Sequence, residues 1–255
     1  MSDRTTDSAW ERYGREDPYF GVFTDEKYRR ARLTEAQKAE FFGSGTAHVA
    51  DVLATIRRHI DPEFEIDRAL DFGCGVARLV IPLAAVARQV TGVDISKSML
   101  DEARRNCDAR QLRNVEFVSS DDRLSLVNGR YNFVHSIIVI QHIPVERGRA
   151  IFSRLVDLLQ DGGVGVLHVT YAKSYRPRWK EHVKKHVPLV RPLLAWWRAR
   201  RKLAPEMQMN AYDLNALFSI LQTARIADLY LQFTNHAGEL GVVLYFRKPP
   251  STNGG

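Results

Sequence analysis

Ala69-Leu70-Asp71-Phe72-Gly73-Cys74-Gly75-Val76-Ala77-Arg78 reads as a strand that runs into a glycine-rich turn and then a helix. Glycine lets backbone approach a ligand closely, and the carboxyl end of a parallel strand at a topological switch point opens a binding crevice. The segment alone therefore implies a nucleotide-like ligand. Two details narrow it. Asp71 precedes the glycines, where its charge suits a cationic ligand bearing an ammonium and a sulfonium and opposes a pyrophosphate. The strict Gly-x-Gly-x-x-Gly spacing also fails, because Arg78 stands where the third glycine belongs.

Outward from this turn, short apolar strands alternate with amphipathic helices. The strands are predicted at Arg68–Phe72, Gln89–Val93, Val115–Val118, Tyr131–Ile138 and Gly163–Val169, and the helices at Ala77–Ala87, Ser96–Ala109 and Val145–Leu159. Parallel crossovers need covering helices, so the pattern predicts a doubly wound α/β sheet. A further helix at Ala211–Gln222 and strands at Ala227–Phe233 and Gly241–Phe246 follow, with Asn235-His236-Ala237-Gly238 as a hairpin loop, so the sheet of seven strands ends antiparallel. Upstream, Val49, Val52, Leu53, Ile56 and Ile60 recur at helical spacing and predict a helix from Ala47 to Ile60, closed by Asp61-Pro62.

The expected organisation is an N-terminal lid over 1–46, a catalytic domain over 47–248 and a Pro/Ser/Gly tail over 249–255. The lid is polar but carries Trp10, Tyr13, Tyr19, Phe20, Phe23, Tyr28, Phe41 and Phe42, residues suited to packing on another surface. A basic helical insertion at 171–207 interrupts the domain after the fifth strand. Between Lys173 and Leu203 there are eleven Lys and Arg against Glu181, so this stretch carries +10 of a chain whose net charge is +7, and the remainder is acidic.

Charged residues punctuate the first twenty positions, which argues against a signal peptide, and no stretch approaches the roughly 20 apolar residues of a membrane span. Cys74 and Cys107 have no ligand-spaced partners for zinc and are too few for a disulfide framework. The expectation is a cytoplasmic protein, with peripheral contact at the inner membrane surface as the alternative.

Two further acids lie at strand ends. Asp94 closes the second strand in Gly92-Val93-Asp94-Ile95-Ser96, where a carboxylate can accept hydrogen bonds from both hydroxyls of a ribose, an arrangement that dinucleotide sites share. Asp121 and Asp122 follow the third strand, where a carboxylate can accept an adenine amino proton, and Asp121 is the preferred candidate.

From about Arg68 to Val169 the chain resembles the class I S-adenosylmethionine (SAM)-dependent methyltransferases. The matching pieces are Leu-Asp-Phe-Gly-Cys-Gly, Gly-Val-Asp-Ile-Ser with Met99-Leu100 behind it, the acidic pair, Tyr131 to Pro144, and Leu158-Leu159-Gln160-Asp161-Gly162-Gly163, in that order. Ala77 stands where the family often has glycine. The resemblance implies SAM as methyl donor and S-adenosylhomocysteine as product. It implies Asp71, Gly73 and Gly75 at the methionine end, Asp94 and Ile95 at the ribose, Asp121 and Asp122 at the adenine, and Ile137 and Ile138 beneath the cofactor. Met99 belongs to the same set. Arg78 is read either as a partner of the methionine carboxylate or as a surface ion pair.

Methyl transfer is an in-line displacement that depends heavily on positioning, but a hydroxyl acceptor must also lose a proton, and neutral histidine suits that task near pH 7. His142, just past the fourth strand, is the leading candidate, with a loop-shaping role as the alternative. His236 is the second, against an ordinary turn residue. Tyr171 could touch the acceptor or simply pack, while His182 and His186 are read as part of a solvated basic face. The chain lacks an Asn/Asp/Ser-Pro-Pro-Tyr/Phe tetrapeptide and a Pro-Cys pair, and no carboxylate-rich metal site is assignable, so no metal is expected.

The basic insertion interleaves its charges with Trp179, Leu193, Leu194, Trp196 and Trp197. That mix suits an anionic membrane or amphiphilic acceptor, RNA phosphates, or docking on the core or on a second subunit as a homodimer. The tryptophans favour an amphiphile over nucleic acid. The functional expectation is O-methylation of a small molecule, glycan or lipid-linked sugar. The alternatives are an RNA methyltransferase and a non-catalytic binding protein on the same fold.

Overall fold

The computed structural model describes residues 4–174 and 207–250, and most of the basic segment, with His182, His186 and its tryptophans, lies outside them. Seven strands form one sheet in the order β3-β2-β1-β4-β5-β7-β6. They are β1 (Arg68–Phe72), β2 (Gln89–Asp94), β3 (Val115–Ser119), β4 (Tyr131–Ser136), β5 (Leu159–Lys173), β6 (Leu229–His236) and β7 (Glu239–Arg247). β1 to β5 pair in parallel, and β7 runs antiparallel between β5 and β6. The order reverses at β1, which places the carboxyl ends of β1 and β4 side by side at the switch point.

The helices are α1 (Arg4–Glu16), α2 (Pro18–Val22), α3 (Glu35–His59), α4 (Val80–Ala84), α5 (Lys97–Asp108), α6 (Val145–Leu158) and α7 (Leu214–Thr223). Val49, Val52, Leu53 and Ile56 of α3 join Leu83, Leu100 and Ala103 on one face of the sheet, against Val90, Phe133, Val166 and Tyr245. On the other face, Ile151, Phe152 and Leu155 of α6 and Leu217 and Leu221 of α7 cover Leu70, Val134, Leu167 and Leu244. Each such fully buried apolar side chain contributes roughly 1.5–3 kcal/mol. The strands read as nearly continuous apolar runs because both faces are covered.

Several elements differ from the sequence reading. The helix expected from Ala47 begins at Glu35, where a capping box closes its first turn: Gln37 N–H donates to Thr34 Oγ1 and Thr34 N–H to Gln37 Oε1. One rod therefore spans the expected lid boundary and carries Phe41 and Phe42 as well as the core residues. The helix expected over Ala77–Ala87 shrinks to Val80–Ala84, because Ala77 takes a left-handed backbone, φ +71°, that a helix cannot pass through. β4 stops at Ser136, since Ile138 is likewise left-handed at φ +57°. β5 starts directly where α6 ends and runs on to Lys173, so Tyr171 to Lys173, expected in the insertion, are strand. The hairpin turn contracts to Ala237-Gly238, both at positive φ as a two-residue turn with matching twist requires.

The N-terminal aromatics form a third cluster in which Tyr13, Tyr19, Phe20, Tyr28, Phe41 and Phe42 pack on Val76 and Met99. Polar anchors hold them there. Glu11 accepts hydrogen bonds from Ser96 Oγ at 2.9 Å and from Ser98 N–H and Oγ at 3.2 and 2.6 Å, at the start of α5. Arg147 of α6 pairs with Asp7 at 3.2 Å, and Tyr19 donates to Glu102 at 2.8 Å.

Candidate active site

The turn after β1 is built by glycine. Gly73 and Gly75 sit at φ +77° and +52°, and a Cβ on either would overlap a valine side chain, Val139 above Gly73 and Val22 above Gly75. Gly73 and Cys74 donate their N–H groups to Val93 O at 2.7 and 3.0 Å, so the turn folds back over the end of β2. There Asp94, 9% exposed, accepts from Gly75 N–H at 2.9 Å and Ser96 N–H at 2.8 Å. Burial raises its pKa to about 6 against these stabilising amide bonds. Ile95 follows, half-buried, and Ser96 caps α5 by accepting from Met99 N–H at 3.1 Å. Met99 is buried in the aromatic cluster.

Asp71, 3% exposed, accepts from His135 Nδ1 at 2.9 Å, and His135 Nε2 lies 3.1 Å from His48 Nε2 on α3. A carboxylate only accepts, so a neutral His135 carries its proton on Nδ1 and receives one from His48 Nε2. Burial, then the neighbouring His135, lowers the His48 pKa to about 3. Sequence reading did not single out either histidine. The register that aligns Asp71 with His135 across β1 and β4 is what joins them.

Arg78 is largely enclosed rather than in a surface ion pair. Its Nη1 donates to Ser44 Oγ at 3.4 Å, burial lowers its pKa, and the Asp71 charge opposes that shift. Asp121 closes its own turn, accepting from the N–H groups of Arg123 and Ser125 and from the Ser125 hydroxyl. Asp122 pairs with Arg147 at 2.8 Å. Both side chains thus already have protein partners. Ile137 is packed against the α3 side of the core and Ile138 is exposed, in the strained turn that presents Val139 to Gly73.

His142 lies in a short 3₁₀ turn, Ile140–His142, beyond β4. Its Nδ1 is 2.7 Å from Gln208 O. A carbonyl can only accept, so Nδ1 carries the proton and Nε2 keeps its lone pair. Burial lowers its pKa, and the Trp10 ring lies edge-on at 5.1 Å. His236 ends β6 rather than sitting in the loop, with its ring 5.5 Å from that of His168 on β5. Among the described residues no His/Cys/Asp/Glu group could hold a metal ion. No described helix is long and apolar enough to cross a membrane.

A glycine cradle, a buried acid at the end of β1 and a second acid at the end of β2 fit the ammonium and ribose of SAM. The residues that would hold it are Asp71, Gly73, Gly75 and Asp94.

Residues 69–163 match the family model described as a methyltransferase domain. A magnesium-protoporphyrin O-methyltransferase of Synechocystis sp. is 34% identical over 88 residues, 34% of this chain and 38% of that protein. A 23S rRNA (uracil(1939)-C(5))-methyltransferase of Marinomonas posidonica is 40% identical over 55 residues, 22% of this chain and 13% of that one. The chain thus spans well under half the length of either, and their named acceptors differ. The structure of magnesium protoporphyrin IX methyltransferase from Synechocystis PCC 6803 with bound S-adenosylhomocysteine aligns at a TM-score of 0.58 and 21% identity, covering 96% of this chain and 95% of that one. The seven-stranded sheet with one antiparallel strand and the glycine turn after β1 give this chain the class I SAM-dependent methyltransferase fold, and residues 69–163 within it match a methyltransferase domain.

Proposed function

We propose that this chain transfers the methyl group of SAM to a hydroxyl oxygen of a small molecule, glycan or lipid-linked sugar, with His142 as general base. The observation that carries this reading is the bond from His142 Nδ1 to Gln208 O, which leaves Nε2 as an acceptor beside the β4 edge of the crevice. Bound SAM supplies an electrophilic methyl on a sulfonium. The acceptor oxygen forms the new C–O bond as the S–C bond breaks, the electron pair leaves with sulfur, and the hydroxyl proton passes to His142 Nε2.

Asp71 would hold the methionine ammonium and Asp94 the ribose hydroxyls. The aromatic lid, anchored by Glu11 and Arg147, would exclude water from the crevice. Asp121 and Asp122 remain candidates for the adenine and His236 for the acceptor side. The basic segment 173–203 is proposed as the acceptor cap.

The test is transfer of labelled methyl from SAM to neutral hydroxyl compounds in a cell extract, with His142→Gln and Asp94→Ala beside the wild type. A general base contributes typically 10²–10⁴-fold, so His142→Gln should lower kcat by at least a hundredfold with SAM affinity retained. Asp94→Ala should lose SAM affinity. Full activity in His142→Gln sinks the base assignment, and absence of SAM binding by the wild type sinks the whole reading.

A further inference from the structure

Next to the crevice, the carboxyl end of β5 and the turn Ile140–His142 hold polar side chains for which the proposed chemistry has no use. Gln141, His168 and Thr170 are at most 1% exposed. Yet Gln141 Oε1, His168 Nδ1 and Thr170 Oγ1 have no hydrogen-bond partner among the described residues. Buried polar atoms in native proteins are nearly always paired, so three such atoms at one sheet end mark a place where a ligand completes the bonding.

The backbone brings them together. Asn210 donates its main-chain and side-chain N–H groups to Gln141 O at 2.7 and 3.1 Å, and Tyr212 N–H, two residues on, donates to Thr170 O at 2.8 Å. His168 lies two residues before Thr170 on β5, ahead of the bulge, and so shares its face. Its Nε2 is 2.9 Å from Thr234 Oγ1, and its ring stands 5.5 Å from that of His236.

We propose that Gln141, His168 and Thr170 form a subsite that grips hydroxyl groups of a neutral, ring-shaped acceptor. The proposal rests on the methyltransferase reading above and names its substrate class. An amide oxygen only accepts, a threonine hydroxyl does both, and His168, its Nε2 engaged by Thr234, offers Nδ1 alone; the amide oxygen needs a donor, which a hydroxyl has and a carboxylate lacks. His168 is neutral, because burial and then the neighbouring His236 and His142 hold its pKa near 3. Among the described residues at this end, the charged groups Lys173 and Glu239 pair with each other at 3.4 Å. Trp10 beside His142 supplies an aromatic face for a sugar or phenol ring.

The experiment titrates the full chain, loaded with S-adenosylhomocysteine, with matched ring compounds by calorimetry: phenyl glucoside against phenyl glucuronide, and catechol against salicylate. The neutral member of at least one pair should bind at least tenfold more tightly than its anionic counterpart. Thr170→Val and Gln141→Leu should each weaken it at least tenfold, with the affinity for S-adenosylhomocysteine unchanged. Should Thr170→Val fail to fold, Gln141→Leu and Gln141→Met carry the same comparison. Binding of S-adenosylhomocysteine with no neutral compound bound, an anionic preference, or variants that bind like the wild type overturn the subsite alone. A wild type that binds neither SAM nor S-adenosylhomocysteine overturns the methyltransferase reading itself.

Discussion

His135 holds Asp71 through a 2.9 Å bond between two side chains that are almost fully buried, and His48 holds His135 from behind. The chain His48–His135–Asp71 crosses from α3 through β4 to β1 and fixes the carboxylate that precedes the glycine turn. Removing its donor leaves that buried carboxylate short of a partner, at a cost of about 1–3 kcal/mol. His135→Phe should lower the urea midpoint accordingly and weaken SAM binding at least tenfold. His135→Asn, which keeps a donor, should lose less of both. Equal urea midpoints and SAM affinities for the two variants would refute the positioning role.

Stability should depend on pH below neutrality. His48 and His168 have folded pKa values near 3, depressed from an ordinary 6.5 by burial. Unfolding therefore takes up protons on both as pH falls below about 6.5, and their stabilisation is lost toward pH 3 at about 1.4 kcal/mol per pH unit per group. His142 shifts in the same direction. Asp94 opposes them: its folded pKa of about 6 lies above the unfolded value, so it binds its proton in the folded state first and stabilises on acidification. The net outcome between pH 6 and 4 is destabilisation, measurable as proton uptake on unfolding. His48→Gln should reduce that uptake by about one proton.

Gly73→Ala and Gly75→Ala should each destabilise the protein and abolish SAM binding. Both positions are left-handed, and both added methyls overlap valines. Left-handed alanine alone costs roughly 1–2 kcal/mol. Thermal unfolding and calorimetry with SAM measure the two effects separately.

Ala77→Gly should be the opposite case. Ala77 is buried with φ +71°, so glycine removes a strain of roughly 1–2 kcal/mol, while its greater freedom in the unfolded chain returns about 0.5–1 kcal/mol. A gain of up to about 1 kcal/mol in urea unfolding is expected.

Glu11→Gln should loosen the docking of α1 on α5. Although burial alone would raise the Glu11 pKa, the Ser98 and Ser96 hydrogen bonds lower it, so the carboxylate is the form that clamps α1 to α5. Faster amide exchange in α1 and faster SAM release in stopped flow are expected, with the sheet amides unchanged.

The sheet, its closing hairpin and the glycine turn were legible in the sequence because their signals are local. Apolar runs, turn residues and an acid at each of two strand ends act between neighbours along the chain. Where a local signal misled, a backbone detail decided: left-handed Ala77 cut short the helix expected from that residue, and the Thr34–Gln37 capping box started α3 twelve residues early. The constellation around the site is of another kind. Asp71 meets His135 because β1 lies beside β4 in that register, His142 meets Gln208 by a return of the chain after β5, and Glu11 reaches Ser98 only once α1 has docked on α5. The sequence by itself determined a SAM-type crevice. Only the tertiary structure decided which buried groups hold its acid, because those partners lie far apart in the chain and meet only when the strand order is set.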